Sequence, residues 1–104
     1  MSEFMGNIAG QYDAKEKGFI PGAASLHSTM SPHGPEAEVF EKASNAELKP
    51  HFVSPDGMAF MFETCYILKM TKYALDQNNV DTDYYKCWHG LKNNFRDAMK
   101  EKEE

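Results

Sequence analysis

The chain has 104 residues, a formal net charge of −5 and a hydrophobic content of 41%. A negative charge of this size argues against nucleic acid or an anionic membrane as a main partner. The hydrophobic content, with 12% aromatic residues, indicates a globular chain that buries a modest core. No apolar run approaches the ~18 residues that span a bilayer, and no signal-peptide core follows Met1, so a cytoplasmic location is expected.

The first predicted element is a strand over residues 2–13, where apolar and polar side chains alternate loosely. Gly6 and Gly10 interrupt this alternation, and glycine inside a strand often marks a bulge or a close backbone approach. Residues 18–35 then form a loop rich in glycine and proline, which excludes an ordinary helix or a long strand. Within that loop, the alternation over residues 25–30 predicts one short strand.

Two of the four histidines, His27 and His33, lie in this loop. A rigid loop aims an imidazole ring through backbone geometry, and proline and glycine flank His33. A loop histidine is nevertheless more often a surface or hydrogen-bonding residue than a ligand. The spacing of six residues matches neither the i,i+4 pair of a helical zinc site nor an i,i+2 strand pair. These residues alone therefore leave the question of a metal site open.

Three further elements are predicted after the loop. Good helix formers without internal glycine or proline favour a short helix within residues 35–47, with Pro35 at its first position. Residues 58–70 are apolar on both strand faces over much of their length, which predicts a strand covered on both sides inside a sandwich. A period near 3.6 residues predicts a terminal helix from Tyr84 to Met99.

The two cysteines, Cys65 and Cys87, are too few for a disulfide framework. Cys65 lies in an apolar run and Cys87 precedes Trp88, so both are predicted to be small buried hydrophobic residues. A zinc site that joins the two cysteines to histidines is an alternative, although no Cys-x-x-Cys motif or closely spaced histidine pair supports it.

A series of short blocks follows along nearly the whole chain, in the order Ser2-Glu-Phe-Met-Gly6, Gly18-Phe-Ile-Pro-Gly22, Ser25-Leu-His-Ser28, Pro32-His-Gly-Pro35, Phe40-Glu-Lys-Ala-Ser44, Met58-Ala-Phe-Met-Phe-Glu63 and Lys86-Cys-Trp88. Together the blocks closely resemble the C-terminal end of the homogentisate 1,2-dioxygenase family, up to about Phe95. The resemblance implies a mainly β chain with a C-terminal helix, forming part of a cupin-like (jelly-roll) β-sandwich. Residues 1–104 are then expected to be the C-terminal part of the dioxygenase domain of a longer enzyme, without its upstream region.

The resemblance also implies a site for non-haem Fe(II), which this family holds with two histidines and one carboxylate. By motif, Glu3 matches the carboxylate ligand and His33 matches the later histidine ligand, which also belongs to the substrate-binding site. Tyr12 matches a tyrosine that contacts homogentisate, and a phenol is a suitable hydrogen-bond donor to a carboxylate or phenolate oxygen. We expect His27 to lie just behind the ligands, where a neutral imidazole can hydrogen-bond a ligand or bound oxygen.

The family pattern places the other histidine ligand six residues before the carboxylate, and a histidine acid/base further upstream. Neither position exists in this sequence, so no catalytic residue is assigned within residues 1–104. The implied reaction converts homogentisate and O2 to maleylacetoacetate in tyrosine and phenylalanine breakdown, and full-length relatives form trimers and hexamers. The chain alone is expected to be inactive. The alternatives are a catalytically dead remnant that acts as a binding or assembly module, and a small zinc-binding protein.

The implied roles require a particular backbone geometry. Glu3 and Tyr12 are nine residues apart, so in one unbroken strand their side chains would point to opposite faces. A one-residue bulge reverses this parity, and Gly6 and Gly10 are the expected hosts. We therefore predict a bulge, or an end of the strand, between Glu3 and Tyr12, with both residues and His33 facing one cavity.

Overall fold

The computed structural model describes residues 1–95 and contains one three-stranded antiparallel sheet. The elements in chain order are β1 (Ser2–Ala9), β2 (Ala24–His27), the helix α1 (Ala37–Ser44), β3 (Met58–Thr64) and a short 3₁₀ helix (Tyr84–Trp88). The strand order is β2-β1-β3, so β1 lies at the centre. The mainly β class is confirmed. Within residues 1–95 no helix has the length and apolar character that crossing a membrane requires.

The central strand β1 separates two different faces. Glu3 and Met5 point to one face and line a cavity there, together with His27 of β2. Phe4 points to the other face, where its ring contacts Phe60 of β3 at a centroid distance of 5.9 Å. Because successive side chains in a strand alternate between faces, Glu3 is on the cavity face and Phe4 is on the opposite face.

Hydrogen bonds from buried polar residues hold the ends of β1. Ser2 is fully buried, and its hydroxyl donates to the carbonyl of Tyr66 at 2.7 Å while accepting from the amide of Thr29 at 3.0 Å. Asn7 is also buried, and its side-chain amide donates to the carbonyl of Phe19 at 2.7 Å. A second bond from the same amide reaches the carbonyl of Gly10 at 2.9 Å. These bonds connect the central strand to the loops that carry the histidines.

The predicted interruption between Glu3 and Tyr12 is confirmed, but the register shift lies at neither Gly6 nor Gly10, the expected hosts of a bulge. The pairing of β1 with β3 shifts register between Asn7 and Ala9, and β1 ends at Ala9. Gly10 follows with a φ of 64°, and a Cβ at this position would lie 2.5 Å from the carbonyl oxygen of Asp56. Only glycine fits both the left-handed backbone and the close approach, so the chain turns here and brings Tyr12 round toward the cavity.

The prediction of a strand over residues 58–70, covered on both sides, is wrong in extent and in burial. The strand β3 ends at Thr64, whose hydroxyl accepts a hydrogen bond from the amide of Tyr66 at 3.3 Å and so starts a local turn. Side chains of β3 remain open on both faces, with Met61 46% exposed and Phe62 68% exposed. The described residues therefore supply no second layer over this strand.

The two helix predictions have different outcomes. The helix after Pro35 is confirmed as α1, although the chain at Glu36 is still extended and the helix begins at Ala37. The continuous helix from Tyr84 to Met99 is wrong over its middle: the 3₁₀ turn ends at Trp88 and the backbone is not helical at residues 89–93. Gly90, with a φ of 94°, breaks the helical path. The predicted helix over residues 96–99 lies outside the described residues.

Candidate metal and substrate site

The sheet register brings Glu3 and His27 together, because they are direct partners across β1 and β2. The loop after β2 returns His33 to the same place. One potential ligand atom from each of Glu3, His27 and His33 lies within 4.8 Å of the others. Two neighbouring strands and one loop thus converge on a carboxylate and two imidazoles, although the three residues are far apart in the sequence.

Hydrogen bonds fix the orientation of the His33 ring. Its Nδ1 lies 3.0 Å from the carbonyl oxygen of Ser31, which can only accept, so Nδ1 carries the proton and donates. Its Nε2 lies 2.7 Å from Oε2 of Glu3. The bond to Ser31, and then the bond to Glu3, raise the pKa of His33 above its ordinary value, against an opposing effect of partial burial. Because Nδ1 already carries a proton, the bond to Glu3 requires a second proton on Nε2. When Nε2 loses that proton, its lone pair lies beside the carboxylate, as in a metal-ligand pair.

The ring of His27 stacks on His33 with a centroid distance of 3.9 Å and an angle of 7° between the planes. Its Nε2 lies 3.0 Å from the hydroxyl oxygen of Tyr84 in the 3₁₀ helix. Burial, and then the neighbouring charge of His33, lower the pKa of His27 below its ordinary value. His27 is therefore a neutral ring that supports His33 on one face and hydrogen-bonds Tyr84 at its edge.

These residues line a cavity of about 190 Å³. Glu3, Tyr12, His27 and His33 all contribute to its wall, so the prediction that Glu3, Tyr12 and His33 face one cavity is confirmed. Burial raises the pKa of Tyr12, with Asp13 and Glu3 adding to the effect, so its phenol keeps its proton and can donate. The volume is below the roughly 300–1,000 Å³ of pockets for drug-sized ligands, and it suits a single-ring molecule.

Comparison with known proteins places the chain in a family. The model of the homogentisate 1,2-dioxygenase C-terminal family matches residues 1–95. The chain belongs to this family. It is 60% identical over 96 residues to homogentisate 1,2-dioxygenase of Rhizobium etli (strain CIAT 652), a match that covers 91% of this chain and 21% of the relative. The human enzyme of that name is 53% identical over 96 residues, and the Dictyostelium discoideum enzyme 54%. The chain thus spans about a fifth of the length of the curated relatives it matches.

The donor set is chemically suited to Fe(II). One carboxylate with neutral imidazoles is the ligand type that favours this borderline divalent metal, and histidine-carboxylate sets with open positions are typical of non-haem iron oxygenases. The side chains of Glu3 and His33 remain about one-quarter exposed, at 25% and 24%, which leaves their ligand atoms accessible from the cavity. Glu3 and His33 therefore fit the metal that the family resemblance implies.

Lys15 and Tyr84 are among the residues of the cavity wall that sequence reasoning missed. Tyr84 was assigned to the apolar stripe of a helix, yet its hydroxyl contacts His27 across 57 positions of the sequence. No sequence pattern singled out Lys15, but its side chain is only 15% exposed. The indole of Trp88 donates to the carbonyl of Gly34 at 2.9 Å and holds the 3₁₀ helix against the His33 loop. The Lys86-Cys-Trp88 block was the one signal that this segment belongs with the site.

The prediction that both cysteines are buried is wrong. Cys65 is exposed and Cys87 is partly exposed, at the wall of the cavity. Both cysteines and all the histidines lie within residues 1–95. In that part of the chain, the group of potential metal ligands is Glu3, His27 and His33, and it contains no cysteine. The geometry therefore gives no support to the zinc alternative.

Proposed function

We propose that this chain is the C-terminal portion of a homogentisate 1,2-dioxygenase. Such an enzyme uses non-haem Fe(II) to convert homogentisate and O2 to maleylacetoacetate in tyrosine and phenylalanine breakdown. The single observation that carries the proposal is the 2.7 Å approach of Glu3 Oε2 to His33 Nε2 at the wall of a cavity that Tyr12 also lines. Family membership gives this carboxylate-imidazole pair its functional context.

Each residue has a distinct proposed role. Glu3 and His33 would hold Fe(II), the carboxylate contributing negative charge and the imidazole a neutral nitrogen ligand. When bound, Fe(II) would supply the redox chemistry that joins O2 to an aromatic ring. Tyr12, whose pKa is raised by burial, would donate its phenol proton to a substrate oxygen. His27 would keep the His33 ring in place by stacking and would remain neutral.

The chain alone is proposed to bind Fe(II) weakly and not to turn over homogentisate. Family members carry a further histidine ligand six residues before the carboxylate, and no histidine precedes Glu3 in this sequence. With two ligands from this family pattern instead of three, Fe(II) would be held less tightly and its position would be less well defined. The chain spans 21–22% of its relatives, and the complete reaction is proposed only for the longer enzyme.

We also propose that the sheet is one part of a cupin-like β-sandwich. Support comes from the apolar face of the sheet, where Phe4 is 37% and Phe62 is 68% exposed. An apolar strand face is normally buried against a second layer, and relatives about five times longer contain ample chain to provide one. The trimers and hexamers of full-length relatives and the cytoplasmic location stay predictions.

An anaerobic Fe(II) titration of the 104-residue chain by calorimetry tests the proposal. We expect weak binding that falls by more than about ten-fold in Glu3→Ala and in His33→Ala, because each change removes a ligand atom. His51→Ala is the matched control. His51 also places Nδ1 near the carbonyl two residues earlier, at 3.3 Å from Lys49, but it is exposed. Equal losses in His33→Ala and His51→Ala would contradict the assignment.

The two alternatives predict other outcomes in the same experiment. A small zinc protein would bind zinc stoichiometrically and lose it on Cys65→Ser with Cys87→Ser, whereas we expect these changes to have little effect on Fe(II). A catalytically dead binding or assembly module would show no Fe(II) binding that depends on Glu3 or His33. The approach of Glu3 to His33 favours the dioxygenase portion over both.

A further inference from the structure

Lys15 is a partly buried cation at the cavity wall, and its ammonium group makes no hydrogen bond within the described residues 1–95. Its side chain is 15% exposed, and the nearest carboxylate oxygen, Oε2 of Glu36, lies 3.6 Å from Nζ. This separation exceeds hydrogen-bond distance. The other contact of Nζ is with the face of Tyr84, at 5.3 Å from the ring centroid. A lysine ammonium has three donors, and a buried one normally has partners for them.

The backbone holds the Glu36 carboxylate beside Lys15. Its Oε1 accepts a hydrogen bond from the amide of Glu16 at 2.8 Å, and the amide of Glu36 donates to the carbonyl of Ala14 at 3.1 Å. The remaining oxygen, Oε2, can satisfy at most one of the three N–H donors of the ammonium. Donors therefore remain for a second acceptor, and Lys15 lines the cavity.

We propose that Lys15 is an anion anchor, and that this part of the cavity binds the carboxylate of a small aromatic acid. The inference rests on the proposed function, since homogentisate carries an acetate group on its ring, and it adds the residue that would hold that group. Phe19, Met5 and Met61 line the same cavity and offer an apolar surface to a ring. The volume of about 190 Å³ restricts the acid to one ring.

In this proposal, one charged group and one neutral hydrogen-bond donor bind different oxygens of the aromatic acid. Lys15 supplies the positive charge for a carboxylate, and the protonated phenol of Tyr12 supplies a hydrogen bond to another oxygen. The Tyr84 ring lies between the ammonium and His27, since Nζ contacts its face and its hydroxyl reaches His27 Nε2 at 3.0 Å. A ring held by its carboxylate at Lys15 would thus extend along Tyr84 toward Glu3 and His33.

The test is a titration of the metal-free 104-residue chain with phenylacetate, followed by NMR chemical shifts. We expect Lys15→Met to weaken phenylacetate binding by about ten-fold or more, because a charge-assisted hydrogen bond to the carboxylate is lost. Lys17→Met is the matched control: it removes the same charge two residues away, from a side chain that is 73% exposed and paired with Glu38. We expect it to change binding less than about two-fold, as for an exposed charge.

Two further ligands separate the carboxylate from the ring. Phenylacetamide has the same size without the charge, and we expect it to bind more weakly and to be insensitive to Lys15→Met. Acetate alone should compete with phenylacetate but bind more weakly, because it lacks the ring. The proposal is overturned if phenylacetate does not bind, if phenylacetamide binds equally well, or if Lys15→Met and Lys17→Met have the same effect.

A second variant covers the possibility that Lys15→Met unfolds the chain by leaving Glu36 without a counter-charge. Lys15→Met combined with Glu36→Gln removes both charges, and we expect it to fold and still to lose phenylacetate binding. Glu36→Gln alone should bind phenylacetate at least as tightly as the unchanged chain. If the double variant still binds phenylacetate, the anion anchor is refuted, because the only role of Lys15 would then be to neutralise the charge of Glu36.

The Fe(II) titration distinguishes failure of the anchor from failure of the proposed function. Lys15→Met should leave the Fe(II) affinity within about two-fold, because Lys15 holds no metal. Suppose that Fe(II) binding depends on Glu3 and His33 but Lys15→Met does not change phenylacetate binding. That result refutes the role of Lys15 as an anion anchor and leaves the proposed iron site intact. Phenylacetate binding that depends on Lys15, without Fe(II) binding that depends on Glu3 and His33, supports the anchor and refutes the iron site.

Discussion

The two faces of the sheet differ in whether their side chains find contacts within the described part of the chain. On the cavity face, Glu3 and His33 hydrogen-bond each other, and Tyr84 contacts His27. On the other face, Phe4 and Phe62 are apolar and open, at 37% and 68% exposed. Within residues 1–95, the polar site residues thus find partners, whereas Phe4 and Phe62 on the far face remain open. The hydrogen bonds of the site therefore form without a covering layer from the described residues on the far face.

The segment after β3 extends the same contrast. Tyr66 is 73% exposed and Tyr73 78% exposed, although aromatic side chains usually bury much of their large apolar surface. The cavity side instead closes around Phe19, which is buried and contacts the Tyr12 ring edge-on at 5.6 Å. Among the described residues, the buried aromatic side chain therefore lies on the side of the site.

The largest expected effect is the difference between Phe19→Ala and Phe62→Ala. Phe19 is 9% exposed, so its truncation leaves a void and should cost about 3 kcal/mol of unfolding free energy. Phe62 is 68% exposed and should cost less than about 1 kcal/mol. Urea denaturation followed by circular dichroism measures both. Equal costs would mean that the far face is covered in solution, and the contrast between faces would fail.

The second prediction concerns the hydrogen bonds that anchor β1. Asn7→Ala removes a buried amide and leaves the carbonyls of Phe19 and Gly10 without their donor, so it should cost about 2 kcal/mol. Asn45→Ala is the matched control, because its amide bonds only to Glu41 within the same exposed helix end. It should cost less than about 1 kcal/mol. Similar urea midpoints for the two variants would contradict the polar anchoring of the strand.

The third prediction isolates the close approach at the end of β1. Gly10 and Gly22 both have positive φ, so alanine strains both by about 1 kcal/mol. A Cβ at Gly10 also meets the Asp56 carbonyl, whereas a Cβ at Gly22 meets no described atom within 4 Å. Gly10→Ala should therefore lower the unfolding free energy by about 1 kcal/mol more than Gly22→Ala. Equal values would show that the backbone at Gly10 can move away.

The outcome at particular residues shows what the sequence can and cannot predict. Local signals worked where local forces decide: the helix formers after Pro35 predicted α1, and the spacing of Glu3 and Tyr12 predicted a break that the register shift after Asn7 provides. Alternation also found β1 and β2 to within a few residues. Glu3, Tyr12 and His33 were identified as site residues through the family resemblance, since the alternation of side chains along a strand gives no functional role to any of them.

The failures come from contacts between distant segments. The apolar period that placed Tyr84 on a helix stripe gives no sign that its hydroxyl reaches His27 in β2. Lys15 is partly buried, with its ammonium near Glu36 and the Tyr84 ring, two partners from later segments. The strand over residues 58–70 was predicted to be covered because it is apolar, but burial depends on which layers are present and not on the strand itself.

The smallest expected effect concerns the pH dependence that Tyr84 contributes. Burial raises the pKa of the Tyr84 phenol from 10.0 to about 12. In the unfolded chain the phenol ionises near pH 10, whereas in the folded chain it stays protonated. Stability that is fully present below pH 10 is therefore lost as the pH rises toward 12. Because Tyr84 is not fully buried, solvent screening reduces the effect to about 1 kcal/mol or less.

Measuring this effect requires a difference between variants, since high pH also affects other groups. The unfolding free energy of the chain minus that of Tyr84→Phe should fall by up to about 1 kcal/mol between pH 9 and pH 11. Tyr85→Phe, at the neighbouring tyrosine that is 55% exposed, is the control for the loss of a phenol as such. A difference for Tyr84 that does not change with pH would mean that folding does not hinder ionisation of its phenol. The hydroxyl that holds His27 would then be open to water, and the protected character of the cavity face would be disproved at this residue.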